Sequence, residues 1–372
     1  MNVTSLTWKH CRNLSGGEIR PDPAVNVICG DNAQGKTNLL ELLWIYTGGR
    51  SFRGAKDSEL VELGRSHAES ELTYFARERT ETARIELTGG RRKCSRNDIP
   101  LKSAAGLVGG FCAVVFAPVH LSLVKDGPAE RRKFLDAAIC QMRPAYAGHL
   151  MRYNRVIEQR NALLKELYRR PSLQDTLRAW DEKTAQLASV VTEARLAYLR
   201  RLQPAAEETY FGISSEKERL TLQYHRSGVP EEAQNMCPQS AQELMPQILR
   251  TLEEHHAADR AAGFTTTGPH RDDFTLCING LSARTFGSQG QQRSAVLALK
   301  LGEAAVLGEA IGEPPVILLD DVLSELDAAR QDYLLNRMAG RQVFITCCEP
   351  TPVLRLRGGR AFRMEGGQLT TL

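Results

Sequence analysis

The pattern of apolar and polar positions divides the chain into two kinds of region. Near the N-terminus, the apolar run AVNVICG predicts a strand, and the NLLELLWIY that follows has the spacing of a helix. After Gly263 the rhythm of strand, turn and helix returns, and it ends in two further apolar runs, PPVILLDDV and RQVFITCC. Both ends of the chain therefore predict an α/β fold.

The middle of the chain is predicted to be helical. Between about residues 145 and 205, apolar residues recur at a helical period on both sides of Pro171 and Ser172. The first repeat consists of Leu150, Tyr153, Ile157, Leu164 and Leu167, and the second of Leu177, Trp180, Thr184, Leu187, Val191, Ala194 and Tyr198. Each helix would be about 30 to 40 Å long, and the short connection favours an antiparallel hairpin near residues 148–202. A plain helical lobe is the simpler interpretation, and a specialised arm that grips a partner is the alternative.

These two kinds of region, α/β at both ends and helical in the middle, predict one discontinuous domain with an insertion. We expect an α/β lobe formed by residues 1–118 and 263–372, and a mostly helical lobe formed by residues 119–262. The predicted fold class is thus a mixed sheet with flanking helices, interrupted by a helical lobe.

Composition adds little to this picture. The chain has 372 residues, of which 42% are apolar and 25% charged, and its net charge of +4 neither requires nor excludes a polyanionic partner. The nine cysteines include no CxxC pair, and the adjacent Cys347 and Cys348 lie in an apolar run, so neither a disulfide framework nor a zinc site is indicated. Neither a signal peptide nor a membrane helix is recognisable. We expect a soluble cytoplasmic protein without a membrane partner.

The stretch GDNAQGKT, from Gly30 to Thr37, matches the phosphate-binding pattern G-x-x-x-x-G-K-[ST]. It follows a predicted strand and precedes a predicted helix, so backbone N–H groups and the helix N-terminus can converge on a polyphosphate. In such a loop Lys36 supplies charge to the β- and γ-phosphates, and the Thr37 hydroxyl can hold Mg²⁺. The residues expected to contact a nucleotide here are Gly30, Asp31, Asn32, Ala33, Gln34, Gly35, Lys36, Thr37 and Asn38.

A second half of the site is predicted at VILLDDV, an apolar strand that ends in Asp320 and Asp321. Asp320 would ligate Mg²⁺, and Asp321 stands where a general base could orient the attacking water. Two adjacent carboxylates at a strand end can also be a helix cap, which is the structural alternative. The P-loop makes the catalytic interpretation the stronger one.

A run of small and amide residues, SQGQQR from Ser288 to Arg293, precedes an apolar repeat that predicts a helix. Such residues also form ordinary loops and N-caps. In ABC-class ATPases, however, a similar loop lies shortly before the aspartate-ended strand and contacts the ATP held by the other subunit, and here the interval from Ser288 to Asp320 is 32 residues. SELD, residues 324–327, stands where that class has a loop at the dimer interface. This resemblance implies that ATP joins two subunits and that hydrolysis releases them.

Seven segments in order resemble the RecF family of bacterial recombination mediators, which are ABC- and SMC-like ATPases. The segments are CGDNAQGKTNLLELL, TGGRSFRG, FAPVHLSLVKDGPAERRKFLD, TTTGPHRDDF, FGSQGQQRSAVLALKLGEA, PPVILLDDVLSELDAARQDYLL and QVFITCCE. Together they cover nearly the whole chain.

The resemblance implies a protein that binds ATP with Mg²⁺ and binds DNA, forms an ATP-dependent homodimer and hydrolyses ATP slowly, with stimulation by DNA. It also implies work with RecR and RecO to place RecA on gaps coated by single-strand binding protein (SSB). By resemblance, Lys36, Asp320 and Asp321 are the catalytic residues, and Thr37 and Asp320 hold the metal. The remaining nucleotide contacts implied by the family are Arg50, Arg53, Ser288, Gly290, Gln291 and Gln292.

The sequence also departs from the family pattern. His120 stands in FAPVHL where an acidic residue is usual, which puts any role of that carboxylate in doubt. Thr346 and Cys347 stand at the end of the VFIT strand, where transporter-type ATPases have a switch histidine, and this difference is consistent with slow turnover. Residues 111–130 contain no glutamine that could serve as a Q-loop metal ligand. For His270, a structural hydrogen-bonding role and a nucleotide contact are equally compatible with the sequence.

Local basic runs are the only sequence signal for DNA contacts. GRRKCSR at 90–96 contains Arg91, Arg92, Lys93 and Arg96, which we take as candidate contacts, while a basic stretch of the first long helix contains Arg152, Arg155 and Arg160. Each run is also compatible with a solvated face, and none has the interleaved aromatic residues of a single-strand stacking site. We therefore expect backbone binding to duplex DNA with strong salt dependence.

Three other functions remain open at this point. A P-loop small-molecule kinase would not need SQGQQR or SELD, and a nucleotide-binding subunit of a transporter would carry the switch histidine. A purely structural SMC-like protein would need longer helices for a coiled-coil arm. The main hypothesis is an ATP-gated DNA clamp that acts in recombinational repair and replication restart.

Overall fold

The computed structural model describes residues 1–167, 169–234, 240–348 and 359–372. The strands, in chain order, are β1 (Asn2–Cys11), β2 (Leu14–Ile19), β3 (Val25–Cys29), β4 (His67–Ala76), β5 (Arg79–Thr88), β6 (Arg91–Arg96), β7 (Ile99–Pro100), β8 (Ala113–Phe116), β9 (Leu220–His225), β10 (Asp273–Ile278), β11 (Leu281–Ser282), β12 (Val316–Asp320), β13 (Val343–Cys347), β14 (Arg360–Glu365) and β15 (Gln368–Thr371). The helices are α1 (Lys36–Trp44), α2 (Ser122–Lys125), α3 (Pro128–Met142), α4 (Pro144–Leu167), α5 (Gln174–Ile213), α6 (Glu231–Gln234), α7 (Ala241–Glu254), α8 (His256–Ala262), α9 (Ala283–Phe286), α10 (Gln289–Ile311) and α11 (Ala328–Arg337). None of these helices is long and apolar enough to cross a membrane.

The chain divides into two compact units, Met1–Leu121 with Leu297–Leu372, and Ser122–Val296. The first unit therefore combines both chain ends, and the second is an insertion. In this division the second crossing falls inside α10, and β10 pairs with β9 in the insertion. The assignment of residues 263–296 to the ATPase lobe stays a prediction.

The first unit contains two six-stranded sheets. One is antiparallel, in the order β2-β1-β4-β5-β6-β7, and the other is mixed, in the order β15-β14-β3-β13-β12-β8. In the mixed sheet β14, β3, β13, β12 and β8 run parallel and only β15 is antiparallel. Strands β3, β8 and β12 are buried along their whole length, as continuous apolar runs require in a parallel sheet. The carboxyl ends of β3, β12 and β13 consequently lie at one edge, where ligands bind in such sheets.

The second unit is built mainly from helices. Helices α4 and α5 pack against each other, and Leu164, Leu167 and Leu177 form a buried cluster close to their connection. Helix α5 has 40 residues and continues through Pro204, well beyond the expected range. Its last turns pack on β9, where the Gln203 side chain bonds the backbone of Leu220 and Leu222. The three-stranded sheet β11-β10-β9 was not anticipated from the sequence.

Candidate nucleotide-binding site

The predicted phosphate loop connects β3 to α1, in the strand–loop–helix context that the pattern requires. Gly30 has a φ of 150°, and a Cβ there would lie 2.2 Å from the carbonyl oxygen of Met364 in β14. Gly35 has a φ of 114° and is the N-cap of α1. A side chain at Gly35 would strike Asn13, at 2.8 Å from its Oδ1. Both glycines are thus required by geometry as well as by the pattern.

The loop is backed by the turn between β14 and β15. The Gly366 N–H donates to Gln34 Oε1 at 2.6 Å, and the Gly367 N–H donates to the Gln34 carbonyl oxygen at 3.1 Å. These two hydrogen bonds attach Gln34, in the middle of the loop, to the turn between β14 and β15.

Lys36 begins α1 and is buried. Its ammonium group donates to the carbonyl oxygens of Gly30 and Asp31, at 2.5 and 2.8 Å. The positive charge of Lys36 is therefore held inside the curve of the loop, at the N-terminus of α1. There it adds to the positive potential of the helix N-terminus and its backbone N–H groups.

The structure brings together the two predicted metal ligands, although 283 positions separate them in the sequence. The Thr37 hydroxyl donates to Asp320 Oδ1 at 2.7 Å. The two oxygens are about as far apart as adjacent ligands of an octahedral Mg²⁺, and hydroxyl and carboxylate oxygens are ligands of the type that Mg²⁺ takes. The donor set therefore fits the predicted ion.

A residue that the sequence analysis left without a role, Thr346, joins both aspartates. Its hydroxyl donates to Asp320 Oδ1 at 2.9 Å and accepts from the Asp321 N–H at 3.0 Å. Asp320 and Thr346 are register partners in the neighbouring strands β12 and β13. Burial raises the pKa of Asp320, while the hydrogen bonds from Thr37 and Thr346 oppose that rise.

Asp321 follows β12 in an unusual backbone conformation. Its φ is 53°, which is rare for a residue other than glycine and persists only where the surroundings hold it. The hydroxyl of Thr346 accepts from its N–H, and the Ser324 hydroxyl donates to its carbonyl oxygen and to Oδ1, at 2.9 and 3.0 Å. The predicted base is thus tied to the SELD segment.

The segment GGRSFRG is attached to α1. Glu41, which is buried in α1, accepts from Arg12 Nε at 2.5 Å and from the Ser51 hydroxyl. Arg53 Nη1 donates to Asn38 Oδ1 at 2.9 Å, so the family-implied arginine lies beside the P-loop helix. Arg50 is exposed, and its carbonyl oxygen accepts from the indole N–H of Trp44 at 2.8 Å.

Asn13 also reaches the loop, and sequence reasoning missed it. Its Oδ1 accepts from Asn38 Nδ2 at 2.8 Å, and its amide donates to the Ala33 carbonyl oxygen at 3.4 Å. Asn32 of the loop is contacted by the thiol of Cys348, at 3.5 Å from its Oδ1. Asn13 lies in the turn between β1 and β2, and Thr346 lies in β13, so the folded structure and not a sequence motif places them beside the loop and beside Asp320.

The SQGQQR segment opens α10, and the structure shows its local role directly. Gln291 N donates to Ser288 Oγ at 3.2 Å, and Ser288 N donates to Gln291 Oε1 at 2.8 Å, which is the reciprocal arrangement of a capping box. Gln292 is buried and donates to the carbonyl oxygens of Ala283 and Gly287, at 3.1 and 3.2 Å. Ser288 itself is exposed, and Gly290 is half-buried. The two glutamine side chains are engaged within their own unit, so their predicted nucleotide contacts stay predictions.

The candidate DNA contacts in β6 differ in their environment. Arg91 and Lys93 are exposed, whereas the Arg92 side chain is 5% exposed and pairs with Asp57 at 2.6 Å. Arg92 also donates to the Gly49 carbonyl oxygen, at 3.0 Å. This arrangement argues against a direct phosphate contact by Arg92, because its guanidinium already holds the segment that contains Gly49 and Asp57. Arg96 lies 3.9 Å from Glu81.

His120 and His270, to which the sequence assigns no definite function, form hydrogen bonds with other residues of the protein. His120 Nδ1 accepts from the Ala117 N–H at 3.1 Å, and burial together with the charge of Lys300 holds its pKa well below the usual range. His270 bonds the Tyr153 hydroxyl at 2.7 Å and the Thr265 carbonyl oxygen at 3.1 Å. Burial lowers the pKa of His270 to about 4, so the ring is neutral near pH 7. These contacts favour the structural interpretation for His270.

Known proteins similar to the chain match it over at least 94% of its length. The chain is 36% identical over 350 residues to the DNA replication and repair protein RecF of Acetivibrio thermocellus, with 94% of each chain covered. It is 39% identical over 375 residues to RecF of Heliobacterium modesticaldum, with 100% of this chain and 99% of the relative covered. The chain belongs to the RecF family.

Solved RecF structures share its fold. The recombination mediator protein RecF with ATPrS has a TM-score of 0.91 and 34% identity, with 100% of this chain and 98% of that chain covered. RecF with ATP has a TM-score of 0.92 and 33% identity, with 100% and 97% covered. An SMC head domain from Pyrococcus furiosus is 14% identical to this chain, with a TM-score of 0.55 and 100% of this chain and 96% of that chain covered, and it resembles this chain in fold alone. No family model matches the chain. The predicted ABC-type ATPase fold with a helical insertion is confirmed.

Proposed function

We propose that this chain is an ATP-dependent DNA-binding protein of recombinational repair and replication restart. The observation that carries the proposal is the 2.7 Å contact between Thr37 and Asp320 at the exit of the phosphate loop. The names of the relatives, which are DNA replication and repair proteins, and the RecF structures with ATP support it.

The chain's own residues suit ATP hydrolysis. Lys36 would move from the loop carbonyls to the β- and γ-phosphates, and Thr37 and Asp320 would hold Mg²⁺, whose charge stabilises the phosphates. Asp321 would orient the attacking water as the general base. The hydrogen bond that the Asp321 N–H donates to Thr346, and those that Asp321 accepts from the Ser324 hydroxyl, would position Asp321 for that task. Turnover is slow and DNA-stimulated in this proposal, so hydrolysis serves as a switch.

ATP would act by joining two copies of the chain. Ser288 is exposed at the N-terminus of α10, where backbone N–H groups favour an anion. In the dimer, the loop with Ser288 and Gly290 would contact the γ-phosphate bound to the second copy. Gln291 and Gln292 would hold that loop in shape through their present hydrogen bonds.

The dimer would bind duplex DNA close to single-stranded gaps. With RecR and RecO it would help to load RecA onto single strands that are coated by SSB. The solved relatives are described within a RecFOR pathway, which supports these partners. In this proposal the chain acts on DNA in the cytoplasm.

The test is the sedimentation mass with Mg²⁺ and ATP, with and without a short duplex, for the wild type, Lys36→Met and Ser288→Arg. We expect an ATP-dependent dimer of the wild type and monomers of both variants, with ATP affinity reduced more than tenfold only in Lys36→Met. Ser240→Arg is the matched control, because Ser240 caps α7 in the same way, with its side chain accepting from the Glu243 N–H.

Two outcomes would contradict the proposal. A wild-type monomer that still binds ATP would remove the dimer mechanism. A Ser288→Arg variant that dimerises as well as the Ser240→Arg control would show that the loop does not face the second copy.

A further inference from the structure

A small cavity lies in the second unit. It is bordered by Thr192 of α5, Gln247 of α7, Arg226 and Ser227 just after β9, and Thr267. Its volume is about 20 Å³, which accommodates one occupant the size of a water molecule or a monatomic ion.

Three polar atoms of residues that line this cavity are buried and have no hydrogen-bond partner in the described part of the chain. They are Thr192 Oγ1, Arg226 Nε and Thr267 Oγ1. The three residues are 2%, 7% and 3% exposed. Buried polar groups are satisfied in the great majority of cases, so three of them around one cavity point to an occupant. All three can donate a hydrogen bond, and Arg226 Nε can only donate.

Arg226 carries a charge that its direct partners do not balance. Its Nη1 donates to Gln247 Oε1 and its Nη2 to the Ala233 carbonyl oxygen, both at 3.1 Å, and both acceptors are neutral. Asp272 also borders the cavity, and its negative charge opposes an anion there. Its Oδ1 already accepts from the Ser227 N–H at 2.7 Å, and its Oδ2 from the Tyr224 hydroxyl at 2.8 Å.

The surrounding buried and half-buried groups leave a surplus of positive charge. Arg131 pairs with Asp273 at 2.7 Å, and Arg195 pairs with Asp136 at 2.9 Å. Arg226 and Asp272 both line the cavity, and Arg132 Nη1 donates to the Asp272 carbonyl oxygen at 2.8 Å. Two guanidinium groups thus lie close to the carboxyl group of Asp272, and an anion can offset the additional positive charge.

We propose that this cavity binds a small monovalent inorganic anion of halide size, such as chloride, through Arg226 Nε and the hydroxyls of Thr192 and Thr267. The ion joins α5, the segment after β9 and the loop before β10. Its binding therefore stabilises the fold of the second unit in an anion-specific manner.

The first experiment measures the thermal unfolding of the full chain in sodium chloride and in sodium gluconate at equal ionic strength. We expect chloride, at about ten times its Kd, to raise the Tm of the second unit by about 3 °C. Thr267→Val should lose this difference. Thr184→Val should keep it, because Thr184 has an equally buried hydroxyl without a hydrogen-bond partner but does not border the cavity.

The second experiment locates the ion directly. Crystals of the wild type grown with sodium bromide should show an anomalous bromide peak between Arg226 and the two threonines. Density without anomalous signal, together with equal Tm values in chloride and gluconate, would identify an ordered water and overturn the proposal. A chloride effect that survives in Thr267→Val would place the responsible ion elsewhere, and a bromide peak without any chloride effect on Tm would mean binding at crystal concentration only.

Discussion

At the scale of single residues, Thr346 connects the parts of the candidate site. One hydroxyl donates to the carboxylate of Asp320 and accepts from the backbone N–H of Asp321. The position and the ionisation of the predicted metal ligand, Asp320, are thus coupled through one side chain to the position of the predicted base, Asp321. The sequence did not reveal this role, because it depends on β13 lying beside β12 in register.

We expect Thr346→Val to weaken Mg²⁺-dependent ATP binding on the order of tenfold, since a hydrogen bond to a charged group is lost. Loss of the donor raises the pKa of Asp320 further, so less of the carboxyl is ionised at a given pH. The defect should therefore be largest at low pH and shrink as the pH rises, in a titration of ATP affinity between pH 5 and 8. Thr346→Ser, which keeps the hydroxyl, is the control. A pH-independent defect, or an equal defect in Thr346→Ser, would argue against the coupling.

At the scale of elements, a buried arginine fixes the helices of the second unit to one another. Arg160 of α4 is 0% exposed and pairs with Asp181 of α5 at 2.8 Å and with Asp259 of α8 at 2.6 Å. Arg160 therefore does not belong with Arg152 and Arg155 in a basic stretch available to DNA, because its fully buried guanidinium cannot contact a phosphate. The helical period could have shown this, because Arg160 falls in the same register as Tyr153, Ile157 and Leu164.

We expect Arg160→Met to destabilise the chain by about 3 to 5 kcal/mol, because two carboxylates are left buried without their cation. Urea unfolding of the second unit measures this change. Arg152→Met, on the exposed face of the same helix, should change stability by less than about 0.5 kcal/mol. Equal unfolding midpoints for the two variants would show that the buried ion pairs do not hold the helices.

At the scale of the whole molecule, local patterns predicted the fold class and located the candidate nucleotide site, whereas they did not predict pairing between strands distant in sequence. The P-loop could be predicted because its residues are contiguous and their spacing carries the chemistry. Strand β9 was missed because its partner β10 follows almost fifty residues later, and nothing local fixes that pairing. Which basic side chains are exposed is equally hard to predict from sequence. Only the structure shows that Arg92 is paired with Asp57, while Arg91 and Lys93 are exposed.

We expect the double variant Arg91→Glu with Lys93→Glu to weaken duplex binding uniformly across sequences and to reduce the salt slope by about two. Fluorescence anisotropy over a range of salt concentrations measures both quantities. The control is Arg178→Glu, at an exposed position of α5 in the other unit. An unchanged affinity and slope in the double variant would remove β6 from the DNA surface.

The contact of Gly30 with Met364 has a consequence for the order in which the protein is made. The phosphate loop leaves the ribosome well before its support, because 332 positions separate Gln34 from Gly366 in the turn that backs it. Strand β3 likewise waits for both of its neighbours, β13 and β14, which are translated much later. A chain translated only as far as β12 therefore lacks the backing of its phosphate loop, and the candidate nucleotide site is complete only after β14 and the turn that follows it have been made.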